Sequence, residues 1–511
     1  MVSEISSNED FVKLPAVPQG WTWTNINDLC QLIGGGTPAR DNPDFFGGVI
    51  VWLTPTEIPK NKIVTISDSK EKITEFGLHK SSARIIPKGS VLLTSRASIG
   101  YVAIAGCDVT TNQGFASFVC EGAVYNEYLA YWLFSKKNAL EEQATGTTFK
   151  EISKTKLREL VIPLPPVPEQ HRIVTKIEEL LTQLDAGVAS LIKVQAQLKR
   201  YRQAVLKAVF EGRLTQEWRE EQTGELTAAS ILLEQIKKAR KSGKNGNFQD
   251  FLIADPHDTL VVPGGWLCTP FGNITDLKNG INFQSENKGE IGVLTIDVLN
   301  MYGNSSFVNL DKLYRVNISL KDNYVLKNDD ILFVRSSVKR EGVGWVSLFR
   351  EISEPVTFCG FIIRSRLIIE DVSSKFLVYL LRSNSFRAKI IQSSSQVTIT
   401  NINQTSLRKL LIPIPSLTEQ QVIVSEIERL FSIADEVEKT IETSLKHAET
   451  FRHSILKRAF EGKLVPQDST DEPASVLLER IKSEKVYHMA EGKKGKNIQS
   501  PTPKRKIKHA K

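Results

Sequence analysis

The sequence lacks the features that mark membrane-spanning and secreted proteins. It contains no apolar run of the ~18 residues that a transmembrane helix needs. Its opening stretch, MVSEISSNEDFVKL, has no apolar segment of the kind found in signal peptides. The cysteines form no CxxC motif and are odd in number: Cys30, Cys107, Cys120, Cys268 and Cys359. We therefore expect unpaired thiols and a cytoplasmic location.

Motifs of catalysis are also missing. There is no GxxxxGK[ST] P-loop, no DPPY or NPPF motif of adenine methylation, and no HExxH metal site. Asn42-Pro43-Asp44-Phe45 differs from NPPF at one position, because Asp44 replaces the second proline, and it is better interpreted as a turn. The sequence therefore predicts no catalytic, cofactor-binding or metal-binding residues in this chain.

One loose nuclease pattern keeps an enzymatic alternative open. Pro43-Asp44 followed by Asp68-Ser69-Lys70 formally satisfies PD…DxK, in which two carboxylates and a lysine hold a metal ion and activate water. The pattern is so permissive that a chain of 511 residues often matches it by chance. A single-chain nuclease would show magnesium-dependent cleavage that is lost on Asp44→Ala.

Excess positive charge is confined to one end of the chain. The net charge is +8, and residues 492–511 hold eight Lys and Arg residues and no acidic residue. The rest of the chain is therefore balanced, so bulk charge alone gives no argument for nucleic acid. The composition of the tail predicts a disordered segment, which either contacts phosphates, serves as a localisation signal, or is a solvated end.

A long duplication organises the chain. Leu157–Leu214, LRELVIPLPPVPEQ…KAVFEGRL, aligns without a gap on Leu407–Leu464, LRKLLIPIPSLTEQ…KRAFEGKL. Weaker similarity precedes both segments (VPQGW and VPGGW) and follows them (ASILLEQIKKAR and ASVLLERIKSEK). Repetition of this extent indicates that a whole structural half is duplicated.

Each repeated segment predicts one long helix. Prolines precede both, and Pro168 suits an early helical position. Ser416 and Glu419 have the spacing of a capping box. Gly212 and Gly462 follow Phe-Glu and suit the left-handed position that ends a helix.

Apolar residues recur every seven positions along both predicted helices. One seam position holds Ile177, Leu184, Leu191, Leu198 and Val205 in the first helix, and Ile427, Ala434, Ile441, Ala448 and Ile455 in the second. A narrow stripe on a long helix needs a partner. We expect an intramolecular antiparallel coiled coil, with two separately packed helices as the alternative.

The regions before the two helices differ from each other. Both are rich in β-branched and aromatic runs, such as SARIIPKGSVLLTSR in the first and NYVLKNDDILFVRSS in the second. Each ends in an amphipathic helix and a polar stretch. A constant frame that carries two divergent domains could read two unlike DNA half-sites at a fixed spacing, which would make an asymmetric site.

The doubled IPxP…EQ…heptad…FEG frame resembles the specificity subunit of Type I restriction-modification systems. The resemblance covers nearly all of the chain up to about residue 467 and implies a noncatalytic subunit that reads a bipartite double-stranded DNA site. It also implies two methyltransferase subunits and translocase-nuclease subunits as partners. S-adenosylmethionine, ATP and Mg²⁺ would belong to those partners, and none would be bound by this chain. A coiled-coil adaptor that binds only proteins is a further alternative.

Candidate DNA-contacting residues come from strand ends, loops and polar stretches of the two variable regions. Arg96 and Arg335 end similar strands, and this similarity suggests related roles. The full set is Arg40, Arg96, Thr147, Thr148, Lys150, Arg335, Lys339, Arg340, Gln396 and Thr398.

The predicted fold is α/β, with two globular target recognition domains of mixed strands and helices. Two long helices separate them as an antiparallel coiled coil, and the whole has an internal pseudo-twofold repeat. The predicted boundaries are 1–155 and 256–405 for the recognition domains, 156–215 and 406–466 for the helical spacers, 216–255 for a short helix and linker, and 467–511 for a short helix and basic tail.

Overall fold

The computed structural model describes residues 14–120, 122–146, 150–222, 229–242, 262–396 and 400–483. Within these ranges, no helix is both long enough and apolar enough to cross a lipid bilayer. The chain divides into two compact units. The first combines residues up to Ser190 with those from Thr443 onwards, and the second is Leu191–Glu442. Each unit therefore contains parts of both repeats.

The first unit is a mixed α/β domain with short connecting helices. Its strands are β1 (Thr22–Asn25), β2 (Cys30–Gly34), β3 (Phe46–Leu53), β4 (Val64–Ile66), β5 (Glu71–Ile73), β6 (Val91–Thr94), β7 (Val102–Ala105), β8 (Thr110–Thr111), β9 (Phe115–Cys120) and β10 (Val161–Leu164). Its helices are α1 (Ile26–Leu29), α2 (Glu75–His79), α3 (Asn126–Ser135), α4 (Lys137–Gln143), α5 (Lys154–Arg158) and the first part of α6 (Val167–Phe210). The main sheet has the strand order β2-β9-β6-β7-β4.

The second unit repeats this plan. Two helices, α7 (Gln216–Glu221) and α8 (Ala229–Ser242), follow α6 in the chain and belong to the second unit. Its strands are β11 (Leu267–Pro270), β12 (Thr275–Asn279), β13 (Lys288–Gly289), β14 (Val293–Ile296), β15 (Tyr314–Val316), β16 (Ile331–Val334), β17 (Ser336–Ser337), β18 (Val346–Leu348), β19 (Val356–Phe358), β20 (Ile362–Leu367), β21 (Ser395–Gln396), β22 (Thr400–Asn401) and β23 (Leu411–Ile414). Its helices are α9 (Phe271–Ile274), α10 (Ser374–Arg382), α11 (Asn384–Gln392), α12 (Gln404–Lys409) and the first part of α13 (Leu417–Phe460).

The two main sheets correspond strand by strand. The order β12-β20-β16-β18 of the second unit matches β2-β9-β6-β7 of the first. Leu93 pairs with Ala116 at the centre of one sheet, and Phe333 pairs with Ile363 at the centre of the other. All residues of β6 and β16 are buried, which explains their continuous apolar sequences VLLT and ILFV. The predicted common plan of the variable domains is confirmed.

The long helices α6 and α13 each contain 44 residues and pair in opposite directions. In the first unit Ile173 of α6 shares a core with Leu456 near the end of α13. In the second unit Val205 near the end of α6 shares a core with Ile423 near the start of α13. The predicted antiparallel pairing is therefore confirmed in each unit.

The expected helix ends are also confirmed. Pro168 is the second residue of α6, and Gly212 and Gly462 follow the helices with φ of +69° and +66°. The capping box predicted for Ser416 and Glu419 is only half confirmed. Ser416 Oγ accepts from the main-chain N–H of Glu419 at 3.3 Å. The reciprocal bond from the Glu419 side chain is wrong, because its carboxylate points to partners outside the helix.

Candidate nucleic-acid interface

A glutamine at the same position of both repeats fixes each variable domain to the start of its long helix. Gln170 Oε1 accepts from the main-chain N–H of Tyr125 at 2.7 Å, and its Nε2 donates to the Ala123 carbonyl at 3.2 Å. In the second unit Gln420 Oε1 accepts from Ser373 at 2.7 Å. Both glutamines are fully buried. Because an amide both donates and accepts, it holds the loop before α3 or α10 in one position.

Each variable domain carries a small three-stranded element beyond the end of its central strand. In the second unit it is the sheet β17-β22-β21. In the first unit, bridges join Glu151 to both Arg96 and Thr145. The polar stretches before the long helices thus fold back as hairpins against the residues that follow β6 and β16. The two hairpins occupy equivalent positions in their domains, and each candidate interface is centred on one of them.

Two of the polar candidates, Lys150 and Gln396, belong to these equivalent hairpins. Lys150 is exposed and precedes the bridged Glu151. Gln396 ends β21. Thr147, Thr148 and Thr398 lie outside the described residues.

Arg96 and Arg335 are not equivalent, and the expected correspondence is wrong by one residue. Ser95 donates its main-chain N–H to Gly114, and Arg335 donates to Phe361 in the same way. Ile152 and Ile402 donate back to these two positions at 3.0 Å. Arg335 therefore corresponds to Ser95, and neighbouring residues of a strand point to opposite faces.

The side chains of the two arginines follow from this register. Arg96 lies 3.7 Å from the Glu151 carboxylate on the hairpin. Ser336, its true equivalent, donates to Asn401 at the matching position. Arg335 instead donates from Nη1 to the Gly360 carbonyl at 3.1 Å. Arg96 thus contacts the candidate hairpin, whereas Arg335 ties the turn before β20.

Arg40 is held within the first domain. Its two terminal nitrogens each donate to a Glu71 oxygen at 2.8 Å. The guanidinium carbon also lies 4.8 Å from the ring centroid of Phe46 and 5.0 Å from that of Trp52. Glu71 raises the pKa of Arg40, chiefly through this hydrogen bonding. The side chain remains about half exposed, so an outer edge can still meet a phosphate.

Lys339 and Arg340 lie on a short turn beyond β17. Both are exposed, and Arg340 begins a 3₁₀ turn, Arg340–Gly342. They follow Ser337 of the three-stranded element after one intervening residue, Val338, so two cations stand beside the hairpin of the second domain. This position suits contact with the DNA backbone.

Exposed apolar side chains lie beside these cations and were not predicted from the sequence. Val338 is 86% exposed, Leu299 84% and Phe361 56%. With Tyr302 and Trp345 they line an open cleft of about 720 Å³. Nothing in the sequence pattern pointed to this cleft, because its residues come from three separate segments, which include Tyr302, Trp345 and Phe361.

Titratable groups near the cleft have structural partners. The Asp297 carboxylate accepts from the Val298 N–H at 2.7 Å and from the Tyr314 hydroxyl at 3.2 Å. Burial, with a contribution from Asp297, raises the pKa of the Cys359 thiol to about 12. Burial likewise raises the pKa of Tyr314. Cys359 therefore stays a thiol near neutral pH and is no nucleophile there.

The loose nuclease pattern falls on a surface turn and a 3₁₀ segment. Asp44 lies in Pro43–Phe45, where its main-chain carbonyl accepts from Thr74 Oγ1 at 2.8 Å. Asp68 lies 3.0 Å from Lys72 Nζ, and this partner lowers its pKa. Across the described ranges, no three His, Cys, Asp or Glu side chains are grouped as metal ligands.

Comparison with protein families identifies the repeated architecture. The model described as "Type I restriction modification DNA specificity domain" matches residues 18–197 and again residues 268–447. The chain belongs to this family. The two matches each contain one variable domain and the first part of the long helix that follows it.

Two specificity subunits of Type I restriction enzymes are similar to the chain over nearly its whole length, and a third is similar over a shorter part. The StySPI specificity subunit of Salmonella potsdam is 28% identical over 499 residues, which cover 92% of this chain and 96% of the relative. The EcoKI specificity subunit of Escherichia coli strain K12 is 24% identical with the same coverage. The MjaIX specificity subunit of Methanocaldococcus jannaschii is 41% identical, over 31% of this chain and 37% of its own.

Two solved structures share the fold of this specificity-family chain. A structure described as "Structural basis underlying complex assembly and conformational transition of the type I R-M system" matches with a TM-score of 0.64 and 18% identity, over 88% of this chain and all of that one. The HsdS subunit from Thermoanaerobacter tengcongensis matches with a TM-score of 0.53 and 18% identity, over 88% and 98%.

Proposed function

We propose that this specificity subunit reads a bipartite, asymmetric double-stranded DNA site, one half with each variable domain. The observation that carries the proposal is the three-stranded element found in both domains at equivalent positions but with different side chains. Arg96 and Glu151 occupy it in the first domain, and Ser336 and Asn401 in the second. Equal scaffolds with unlike side chains suit the reading of two unlike half-sites.

The paired helices set the spacer between the half-sites. Arg202 of α6 donates to Asp435 at 2.6 Å and to Glu438 at 2.8 Å within the second unit. Arg452 of α13 is paired with Asp185 within the first. Such interhelical ion pairs fix the register of a coiled coil, which makes it suitable as a ruler.

The same helices dock two methyltransferase subunits. Several large apolar side chains of α6 and α13 remain exposed in the isolated chain: Ile192, Val194, Tyr201, Ile433, Val437 and Phe451. Exposed apolar residues on a helix mark a surface for protein contacts. Catalysis resides in the partners: the methyltransferases use S-adenosylmethionine, and the translocase-nuclease subunits use ATP and Mg²⁺. This chain supplies recognition and assembly, in the cytoplasm.

Sequencing of methylated adenines tests the proposal. Cells that carry this chain with its modification subunits should show methylation at one two-part motif, which disappears when the gene for this chain is deleted. Exchange of residues 15–155 for another family member's first variable domain should change one half of the motif and leave the other half intact. A motif that does not depend on this chain, or one that changes in both halves, would contradict the proposal.

A further inference from the structure

The second variable domain presents an apolar tip beside its DNA-reading hairpin. Val338 directly follows β17, which pairs with β22 of the hairpin. Its side chain is 86% exposed, and Phe361 stands across the same cleft. The Phe361 carbonyl accepts from the Arg335 N–H at 2.7 Å, which holds this residue beside the end of β16. An exposed valine and phenylalanine together at such a position need a partner.

The loop that carries Val338 is held rigidly at its base. The Gly342 N–H donates to the Lys339 carbonyl at 2.9 Å, and the Gly344 N–H donates to Val334 at 2.7 Å. Arg387 donates to the Glu341 carbonyl at 2.5 Å. The tip is therefore preorganised, and little conformational entropy is lost when it meets a partner.

Close packing adds to this rigidity. A side chain on Gly342 would approach Ser337 Oγ and Tyr302 Oη to 2.5 Å, so the loop lies flat on the domain. Gly344 has φ of +65°, a left-handed conformation that favours glycine. The apolar tip is thus a built feature of the fold.

The charges around the tip favour DNA over a protein partner. Lys339 and Arg340 follow Val338 immediately, and both are exposed. Two acidic residues, Asp297 and Glu341, line the cleft. Asp297 is already engaged by the Val298 N–H and the Tyr314 hydroxyl. On the loop itself, Lys339 and Arg340 outnumber Glu341, which leaves an excess of one positive charge. Two cations beside an apolar side chain match a groove edge, where phosphates flank the bases.

We propose that Val338, supported by Phe361, reads the 5-methyl group of a thymine in the major groove of the second half-site. This assignment rests on the proposed function, because it requires the second domain to read DNA. Among the base pairs, thymine alone presents an apolar group, its 5-methyl, in the major groove. Apolar side chains contact this methyl group in protein–DNA complexes. Lys339 and Arg340 would hold the adjoining backbone.

Uracil substitution tests the contact, because uracil differs from thymine by that methyl group alone. The complex of this chain with its modification subunits would be titrated with duplexes that carry its methylation motif. Each thymine of the second half-site is replaced in turn by deoxyuridine. One replacement should weaken binding by the wild type about four-fold, which corresponds to the ~0.8 kcal/mol of one buried methylene-sized group.

The Val338→Ala variant should bind the thymine duplex more weakly by a similar factor and should no longer distinguish thymine from uracil. Ile291→Ala is the matched control, because Ile291 is a 76% exposed apolar residue of the same domain that does not line the cleft. It should keep the wild-type affinity and the wild-type sensitivity to uracil.

Three results would overturn the assignment. They are a second half-site without an A·T pair, equal wild-type binding to every uracil duplex, and a Val338→Ala variant that still distinguishes thymine from uracil. Equal binding would point to an apolar wedge between bases instead of methyl recognition. Failure of the proposed function looks different, because the complex would then show no two-part methylation motif at all.

Discussion

The indole Nε1 of Trp266 donates to Oε2 of Glu419 at 3.0 Å, and the Glu419 side chain is 2% exposed. The other carboxylate oxygen accepts from Thr215 Oγ1 at 2.8 Å and from Arg219 at 2.5 Å. Three segments that are distant in sequence thus meet at one carboxylate. This group joins the start of the second variable domain to the start of α13 and to the segment after α6.

The first unit repeats half of this arrangement. Trp21 Nε1 donates to Glu169 Oε2 at 3.0 Å, and Glu169 is 1% exposed. Its second oxygen accepts from the Gln467 amide at 3.3 Å, where the second unit has an arginine. The same position of the repeat is therefore a buried ion pair in one unit and, in the other, a carboxyl group whose two side-chain partners, an indole and an amide, carry no charge.

The difference predicts unequal effects of one substitution made at both positions. Glu419→Gln should destabilise the second unit by about 3 kcal/mol, because it leaves Arg219 in a mostly buried position without its carboxylate. Glu169→Gln, the matched variant, should cost only about 1 kcal/mol, because an amide oxygen still accepts from Trp21. Hydrogen–deuterium exchange of peptides from β11 and β1 would measure each effect locally. Equal losses in the two units would contradict the argument.

Glu169 should also contribute a pH dependence to stability. Burial raises its pKa above the ordinary 4.5, and hydrogen bonds from Trp21 and Gln467 offset part of this shift. Between 4.5 and the raised value the folded chain binds more protons than the unfolded chain, so this group adds stability as pH falls through that window. Unfolding free energies of wild type and Glu169→Gln should therefore shift in favour of wild type on acidification. A difference that is constant with pH would refute this.

The local rules of helices and strands made the frame predictable from the sequence. Prolines and glycines marked the ends of α6 and α13, and continuous apolar runs marked β6 and β16. What depends on distant segments was not predictable. Glu419 has the spacing of a capping box, but its partner Trp266 lies 153 residues away. The direction of the Glu419 side chain is set by contacts with distant segments, which exist only in the folded chain.

Register was the other limit for the candidate site. Arg96 and Arg335 end similar strands, yet the pairing of β6 with β9 and of β16 with β20 shifts one relative to the other by a residue. A one-residue shift moves a side chain to the opposite face. The polar stretches were expected just before the long helices, but no sequence pattern indicated that they pair as hairpins.

A heptad inserted in both long helices should lengthen the spacer of the recognised site. The Arg452–Asp185 pair sets a register in which Ser190 lies about level with His447. Seven residues added after each of these positions extend the pair by ~10 Å, about three base-pair rises. Methylation mapping should show the same half-sites with a spacer about three base pairs longer.

The matched control for this experiment adds the heptad to α6 alone. It shifts one helix against the other, so that the Arg452–Asp185 and Arg202–Asp435 pairs can no longer form together, and it should abolish methylation. An unchanged spacer in the double insertion would show that the helices are not the ruler.

Charge placed at exposed apolar positions of α6 and α13 should block assembly without unfolding the chain. Tyr201 and Val437 are 40% and 38% exposed. Tyr201→Glu combined with Val437→Glu puts unpaired carboxylates where an apolar partner surface would cover them, which is costly in an interface. Co-purification with the modification subunits should be lost, while unfolding free energy changes by only about 0.5 kcal/mol. Gln197→Glu, an exposed position of the same helix, should assemble normally.

Removal of one hairpin cation should weaken DNA binding without changing the sequence that is read. Lys150 is exposed and lies beside the Arg96–Glu151 pair of the first domain. If it neutralises a phosphate, Lys150→Ala releases one fewer counterion on binding, and the slope of log affinity against log salt falls by about 1. Lys88→Ala is the control, because Lys88 is exposed at the other end of β6. A changed methylation motif in Lys150→Ala would instead assign this lysine to a base edge, and an unchanged slope would remove it from the interface.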